Sequence, residues 1–267
     1  MSNQKITYSD LPLLNRDIIE NVQQLIEHGA DKVELMMDGD KWDDMELLFE
    51  PVAKQLNELS IPFSIHPPAW DINLTSENKA IRNASFNEYK KSIEFAGMVG
   101  ASHVVIHPGF CFSPAFNKKQ AQQRASVYIK ELCGIAKPLN VHLAIENVGY
   151  NGTALFTEEE FVHFLDDIDE TAGYLIDVGH AQLDGWDVPR VIKTIKGRLL
   201  ALHLHDNMGS SDDHLPIGTG KMDWENVFDT LHEQQIDCDL ILEYAPGTSL
   251  ETLRTGKDFL SERVFAR

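Results

Sequence analysis

Residues 172–205, AGYLIDVGHAQLDGWDVPRVIKTIKGRLLALHLH, contain two short apolar runs separated by a stretch with a helical pattern. The runs 172–177 and 199–205 have the length and apolar content of buried strands, whereas the apolar residues of 187–196 recur with the helical period. Two such strands joined by a helix are typical of a parallel βαβ unit. This segment therefore predicts a parallel sheet whose strands are connected through helices.

The same alternation of strand and helix extends along the whole chain of 267 residues. Eight units in this length predict a closed (β/α)8 TIM barrel, forming a single domain over 1–267, rather than an open doubly wound sheet. No glycine-rich phosphate loop follows the first strand, which disfavours a dinucleotide-binding sheet. The predicted strands are 4–8, 32–37, 61–66, 102–107, 141–146, 172–177, 199–205 and 239–243, and the predicted helices are 15–28, 43–59, 77–99, 117–137, 157–168, 187–196, 223–234 and 249–264.

Composition and charge limit the classes of function. The hydrophobic share of 43% and the charged share of 24% are ordinary for a globular protein. The formal net charge of −19 disfavours a wide nucleic-acid or membrane interface, because polyanions need clustered Lys and Arg, although a small basic groove stays open. The three cysteines form no CxxC pair, the first residues are polar, and no apolar run reaches membrane-spanning length. We therefore expect a cytoplasmic protein without a membrane partner.

Imidazoles and carboxylates recur where the predicted strands end. In a parallel barrel, all strand C-termini open on one face, and catalytic groups lie there. Alternation along strand seven puts His203 and His205 on one face of the sheet, while Leu202 and Leu204 take the other face. The residues expected to converge at this mouth, besides His205, are His66, His107, Glu146, Asp177, His180, His203, Asp212, His214 and Glu243.

This constellation predicts a metal site. A single His at a strand end is more often a hydrogen-bonded loop residue, but six of the eight predicted strands end in a potential ligand. Buried carboxylates repel one another and are costly without a partner, and a divalent cation would offset that cost. Imidazole and carboxylate ligands without cysteine suit Zn, Mn, Co or Mg. The set would hold either two or three ions, or one ion together with substrate-binding imidazoles.

Seven segments in a characteristic order extend this pattern over nearly the whole chain: IHPPAWDINLTS (65–76), VIHPGF (105–110), AIENVG (144–149), IDVGHA (176–181), LHLHDN (202–207), DDHLPIGTGKMDW (212–224) and LEY (242–244). Their order and spacing resemble the xylose isomerase-like TIM-barrel superfamily, which includes sugar-phosphate isomerases and epimerases, inosose dehydratase-type enzymes and endonuclease IV. Each segment alone is a weak signal, whereas the ordered set is specific.

The resemblance implies a divalent-metal-dependent isomerase or epimerase of a sugar, sugar phosphate or polyol. In such members of the superfamily, one ion is held by two Glu, one Asp and one His. The two Glu residues, here Glu146 and Glu243, act as acid and base beside a metal-polarised carbonyl. The His of the D-x-x-H segment, here His180, contacts substrate oxygens. The matching metal ligands are Glu146, Asp177, His203 and Glu243.

The alternative is a multinuclear zinc phosphodiesterase that cleaves abasic-site DNA. In endonuclease IV, nine ligands hold three zinc ions, and the nine residues named above for the mouth include a counterpart for each. However, Pro68-Ala69-Trp70 stands where endonuclease IV has a Tyr, and His205 and Met208 stand where it has an Asn and a Lys. The loops after strands four and seven contain few basic residues, namely Lys118, Lys119, Arg124 and Lys221.

Further residues are candidates for binding the substrate. Trp70 lies in a mouth loop, where an aromatic ring could stack on a sugar or simply pack against the loop. Glu34 lies inside strand two, and in related barrels an acid there binds a substrate hydroxyl or an internal Arg. No Arg or Lys cluster follows strands seven and eight, which favours a substrate without phosphate. Similar barrels are commonly dimers or tetramers, so the sequence leaves a homo-oligomer open. The candidate substrate-binding set is His66, His107, His180, His205, Trp70 and Glu34.

Overall fold

Eight parallel strands form a closed barrel in sequence order in the computed structural model, which describes residues 6–43 and 45–265. Pairing of the first strand with the eighth closes the sheet. The predicted (β/α)8 TIM barrel is therefore confirmed. The strands are β1 (Ile6–Ser9), β2 (Lys32–Met36), β3 (Phe63–His66), β4 (His103–Ile106), β5 (His142–Glu146), β6 (Ala172–Asp177), β7 (Leu199–Leu204) and β8 (Asp239–Leu242). Residues 4 and 5 of the first predicted strand lie outside the described residues.

Nine α-helices lie between and after the strands in the described part of the chain. Among the described residues, no helix combines the length and the apolar content needed to cross a membrane. The helices are α1 (Ile18–Glu27), α2 (Met45–Glu58), α3 (Lys79–Val99), α4 (Lys118–Ala136), α5 (Glu158–Val162), α6 (Val178–Leu183), α7 (Val188–Ile195), α8 (Trp224–Glu233) and α9 (Leu250–Leu260).

Two helices differ from the sequence prediction. α5 begins at a capping box formed by Thr157 and Glu160, but it ends at Val162, whereas the predicted helix continued to 168. An acidic run begins at Asp166, so a helix extended to 168 would carry negative charge in its last turn, where it opposes the helix dipole. The short helix α6 was not predicted. Its N-cap is Asp177, whose side chain accepts a hydrogen bond from the backbone N–H of His180.

The barrel interior contains a small apolar layer directly beneath the mouth. Its side chains come from five strands, and each belongs to a residue that is fully buried. Because alternate residues of a strand face the same side, the residue two positions after each of these apolar residues also faces the interior. The apolar residues are Val105, Ala144, Leu175, Ala201 and Ile241, and the residues two positions later are His107, Glu146, Asp177, His203 and Glu243. The row of apolar side chains therefore lies directly beneath a row of polar side chains.

The loop between β7 and α8 is held by one buried carboxylate. Asp206 accepts hydrogen bonds from the backbone N–H of Gly218 at 3.1 Å and of Met222 at 3.0 Å, and from the indole N–H of Trp224 at 2.9 Å. A Cβ atom at Gly220 would collide with this carboxylate, so glycine is required there. The loop that includes residues 212 and 214 is thereby fixed to the end of β7.

We expect Asp206→Ala to lower the free energy of unfolding by about 3 kcal/mol or more. The substitution leaves several buried donors without an acceptor, and each unpaired group costs about 1–3 kcal/mol. Urea denaturation followed by circular dichroism measures the change. Glu225→Ala is the control, because Glu225 is exposed on α8 and its loss should cost no more than about 0.5 kcal/mol. Equal stability of Asp206→Ala and the native protein would contradict the anchoring role.

Candidate metal centre at the barrel mouth

A cavity of about 660 Å³ opens at the C-terminal ends of the strands. This volume lies within the range of small-molecule sites. Aromatic side chains line its outer wall and potential metal ligands line its floor, while none of the described residues that line it is a Lys or Arg. The polar residues that line the floor are His66, His107, Glu146, His180, Asp212, His214 and Glu243, and the aromatic ones of the wall are Trp70, Phe110, Phe112 and Tyr150.

The imidazole of His203 forms the centre of the polar cluster and is fully buried. Its Nδ1 lies 3.3 Å from Glu146 Oε1, 3.4 Å from Glu243 Oε2 and 3.9 Å from Asp177 Oδ2. The three carboxylates come from β5, from the residue after β8 and from the end of β6. The barrel thus gathers three acidic groups around one imidazole nitrogen.

A second group surrounds the outer oxygen of Glu146. Glu146 Oε2 lies 2.9 Å from His107 Nε2 and 3.8 Å from His66 Nε2. The rings of His66 and His107 pack edge to face, with 5.1 Å between their centroids. His66 is the last residue of β3 and His107 directly follows β4, so both imidazoles reach Glu146 from the side opposite to β6.

A third group lies between α6 and the β7–α8 loop. Asp212 Oδ2 accepts from His180 Nε2 at 3.0 Å and from His214 Nε2 at 3.2 Å. His180 Nδ1 also lies 3.6 Å from Glu146 Oε1 and 3.5 Å from Asp177 Oδ2, which connects this group with the central one. The structure therefore brings together all nine residues expected at the mouth.

The donors in this cluster fit a divalent cation. Asp212 Oδ1 is buried and accepts no hydrogen bond from the described residues, and the 2.9 Å contact of Glu146 Oε2 with His107 Nε2 lacks hydrogen-bond geometry. A buried carboxylate oxygen without a partner is costly, and a cation would supply the missing partner. Sets of three ligand atoms within 4.8 Å of one another occur several times, for example in Glu146, Asp177 and His180. The oxygen and nitrogen donors suit Zn, Mn, Co or Mg.

Protonated imidazoles balance the acidic charge when no metal is bound. Burial alone would lower the pKa of His66, but the carboxylate of Glu146 outweighs burial and raises that pKa to about 9. In the same way Asp212 raises the pKa of His214 to about 9 against burial. The pKa of Glu146 is held well below its usual value, because the charges of His107 and His203 outweigh its burial.

The residues expected to contact substrate fall into two groups. His66, His107 and His180 line the cavity together with Trp70, whose surface is 62% exposed. His205 and Glu34 are fully buried and do not line the cavity.

His205 supports the acidic groups from behind the cavity wall. Its Nε2 donates to Asp177 Oδ2 at 2.9 Å, and its ring stacks on His214 with 4.0 Å between centroids. A Cβ atom at Gly179 would collide with the ring of His205, so the glycine of the IDVGHA segment makes room for this imidazole.

Sequence reasoning missed Asn147 and Tyr150. The amide of Asn147 donates to the backbone carbonyl of Asp177 at 3.0 Å and accepts from the backbone N–H of the same residue at 2.8 Å. It thereby locks the end of β5 to the end of β6. The ring of Tyr150 lies nearly parallel to that of His180. Their positions could have revealed them, because Asn147 directly follows Glu146 in the AIENVG segment and Tyr150 directly follows that segment.

A closed parallel barrel with an imidazole and carboxylate cluster at its C-terminal mouth is the architecture of a TIM-barrel enzyme. The chain belongs to the xylose isomerase-like TIM barrel family, whose model matches residues 22–263. This match confirms the family to which the sequence motifs pointed.

Relatives in sequence include both uncharacterized proteins and nucleases. An uncharacterized protein of Methanocaldococcus jannaschii is 26% identical over 250 residues, which cover 90% of this chain and 84% of that protein. A probable endonuclease 4 of Thermoplasma volcanium is 27% identical over 199 residues, which cover 68% of each chain. The sequence relatives thus include proteins described as probable endonucleases.

Similar solved structures include sugar epimerases. A D-tagatose 3-epimerase-like protein superposes with a TM-score of 0.84 at 21% identity, covering 98% of this chain and 97% of its own. The IOLI protein with a bound zinc atom superposes with a TM-score of 0.80 at 20% identity, covering 98% of each chain. At these identities the likeness establishes the fold.

We expect metal binding near neutral pH to release protons. In the metal-free protein His66 and His214 have pKa values of about 9 and are protonated, and they lie beside Glu146 and Glu243, where the charge of a bound cation would lower these pKa values. Protons therefore compete with the metal, and the apparent affinity should rise as the pH increases towards about 9. Calorimetric titration with Zn²⁺ in buffers of different ionisation enthalpy measures the number of protons released.

A matched control separates these imidazoles from the others. His163 is exposed outside the barrel mouth, so His163→Gln should release as many protons as the native protein. His66→Gln and His214→Gln test whether either ring gives up its proton, since a variant that lacks such a ring should release fewer protons. Proton release by neither ring, or binding of equal strength at low and high pH, would contradict the competition.

Proposed function

We propose that this protein is a divalent-metal-dependent isomerase or epimerase acting on a sugar or a related polyol. The observation that carries the proposal is the convergence of three carboxylates on one imidazole nitrogen at the floor of a small-molecule cavity. The fold shared with proteins described as a D-tagatose 3-epimerase-like protein and a D-psicose 3-epimerase supports it. The residues that would hold one Mn, Co, Zn or Mg ion are Glu146, Asp177, His203 and Glu243.

The proposed chemistry is proton transfer at a carbon next to a carbonyl. A divalent ion bound at this site supplies Lewis acidity, which makes the neighbouring C–H more acidic. Glu146 and Glu243 are the acid and base. One carboxylate takes the proton, and a proton returns either to the opposite face or to the next carbon. The charges of His107 and His203 hold the pKa of Glu146 low, which keeps this carboxylate ionised, the state that a metal ligand and a base both require. His180 lies at the cavity surface, where it can bind a substrate oxygen.

The substrate proposed for the cavity carries no phosphate. Phosphate sites usually contain Arg or Lys, and none of the described residues that line the cavity is a Lys or Arg, while the imidazoles of the lining are paired with carboxylates. Trp70 and Phe112 present exposed aromatic faces, which suit the apolar face of a sugar ring. A ketose, a keto-polyol or a hydroxy acid fits this lining.

We expect Glu146→Gln and Glu243→Gln each to reduce proton exchange into the substrate by roughly 10²–10⁴-fold, the usual contribution of a general acid or base. The assay incubates D-tagatose, D-psicose, D-fructose and inososes with the Mn²⁺-loaded protein in D₂O and follows deuterium incorporation by NMR. Asp213→Asn is the matched control, because Asp213 lines the cavity outside the proposed ligand set. Circular dichroism verifies that each variant folds. Undiminished exchange in both Glu variants would overturn the assignment.

A multinuclear zinc phosphodiesterase is the second candidate. The observation in its favour is the full set of nine ligands, with the second and third groups adjoining the central one. Relatives described as probable endonuclease 4 support it as well. The net charge of −19 and the acidic cavity argue against a DNA partner, because nonspecific DNA binding depends on Lys and Arg contacts to phosphate.

Metal content and DNA cleavage separate the two candidates. We expect elemental analysis of protein prepared without added metal or chelator to give about one exchangeable ion per chain, as four protein ligands can hold one ion. We also expect no nicking of an abasic-site duplex at low salt with zinc added. Two or three tightly bound zinc ions together with chelator-sensitive nicking would replace the isomerase proposal by the phosphodiesterase.

A further inference from the structure

Glu34 is a carboxylate in the middle of the barrel that reaches neither solvent nor the cavity. It lies on β2 and is fully buried. Its Oε2 accepts a hydrogen bond at 3.2 Å from the hydroxyl of Ser64, its register partner on β3. Its Oε1 lies 3.0 Å from Nε2 of His203, on β7. Both oxygens therefore have partners inside the protein, and no surface of Glu34 is left for a substrate.

The two nitrogens of His203 face different surroundings. Nε2 faces Glu34, whereas Nδ1 faces Glu146 and Glu243 at 3.3 and 3.4 Å. A neutral imidazole has one N–H and one lone pair, and the hydrogen bond made by one nitrogen determines the state of the other. An N–H on Nε2 directed at Glu34 leaves the lone pair on Nδ1, where the other carboxylates converge.

We propose that Glu34 is a positioning residue, which accepts the Nε2–H of His203 and so makes Nδ1 the metal-binding atom. The inference rests on the metal site of the proposed function and is independent of the reaction. It replaces the expectation that Glu34 contacts the substrate. A carboxylate that receives the outer N–H of a metal-bound imidazole fixes the ring and makes it a better ligand.

The surroundings of Glu34 fit a fixed acceptor. Ser64 donates to the oxygen that does not face His203, so the carboxylate cannot rotate without losing one of its two partners. The ring of His103 lies below, with Nε2 3.9 Å from Glu34 Oε2. Glu34 faces Nε2 of His203 whereas Glu146 and Glu243 face Nδ1, although one oxygen of Glu34 lies within 4.8 Å of one oxygen of Glu243. It is therefore placed to act through that ring.

Metal affinity gives the first test. Competition with a fluorescent chelator measures the dissociation constant of Co²⁺, and we expect Glu34→Ala to weaken binding about 10–100-fold. Glu34→Gln is nearly isosteric and should fold where the alanine variant is unstable, and it should also weaken binding. Asp10→Asn is the matched control, because Asp10 is an equally buried carboxylate that accepts hydrogen bonds from the backbone N–H of Met36 and the side-chain amide of Asn21. We expect it to bind Co²⁺ like the native protein.

A spectroscopic measurement distinguishes positioning from general destabilisation. In the Co²⁺-loaded protein, the Nε2–H of His203 should give a strongly shifted proton NMR signal that is present in H₂O and absent in D₂O. We expect this signal to be lost through fast exchange in Glu34→Ala, to move in Glu34→Gln and to persist in Asp10→Asn. A structural role alone would change none of these signals.

The outcomes separate this inference from the proposed function. Native affinity and an unchanged exchangeable signal in both Glu34 variants would overturn the positioning role. Weakened Co²⁺ binding with a lost or moved signal, without deuterium incorporation into any sugar by the native protein, would retain the positioning role and reject the isomerase. Failure of the native protein to bind Co²⁺, Mn²⁺ or Zn²⁺ would overturn both.

Discussion

Mutual repulsion of buried carboxylates is the constraint on which the site depends. Glu146, Asp177 and Glu243 meet at the base of the cavity, where all three are almost completely buried and like charges are expensive. Imidazoles interleave with them, and His203 lies at the centre. The same arrangement that lets the metal-free protein tolerate these acids, by holding protons on the imidazoles, offers a cation a ready set of ligands.

The barrel makes this concentration of charge possible. Its closed parallel sheet directs every strand towards one mouth, and an apolar layer beneath the mouth fills the interior. In each of the five strands that contribute to this layer, the apolar residue is followed, two positions later, by a polar residue at the mouth. The β7–α8 loop completes the site from outside, and Asp206 anchors it through backbone and indole donors. Residues at the strand ends and residues of the β7–α8 loop thereby line the same cavity.

The charge around the site distinguishes an isomerase from a phosphodiesterase better than the ligand set does. The nine potential ligands occur in an arrangement that suits either one ion with a sugar or several zinc ions with a phosphodiester. What differs is the surface around them. The described cavity lining contains acids, imidazoles and aromatic rings but no Lys or Arg, and the chain as a whole is strongly acidic. A small uncharged polyol is compatible with such a surface, whereas a nucleic-acid backbone would be repelled.

Most of the fold and the identity of the mouth residues could be predicted from the sequence, because both depend on local periodicity. Alternation within a strand determines that His203 and Glu243 face the interior, and strand polarity determines that they open on the same mouth. Helix ends were less predictable, as α5 shows, because extending it as periodicity predicts would place acidic residues in its last turn.

The sequence by itself determined the closed barrel, the ordered family motifs and the set of residues at the mouth. Only the tertiary structure decided which groups touch. Glu34 and His203 are 169 positions apart, on strands β2 and β7, and their contact depends on closure and strand stagger across the barrel. A period of two along each strand says which face a side chain takes, but it says nothing about the residue that meets it from the other side of a closed sheet.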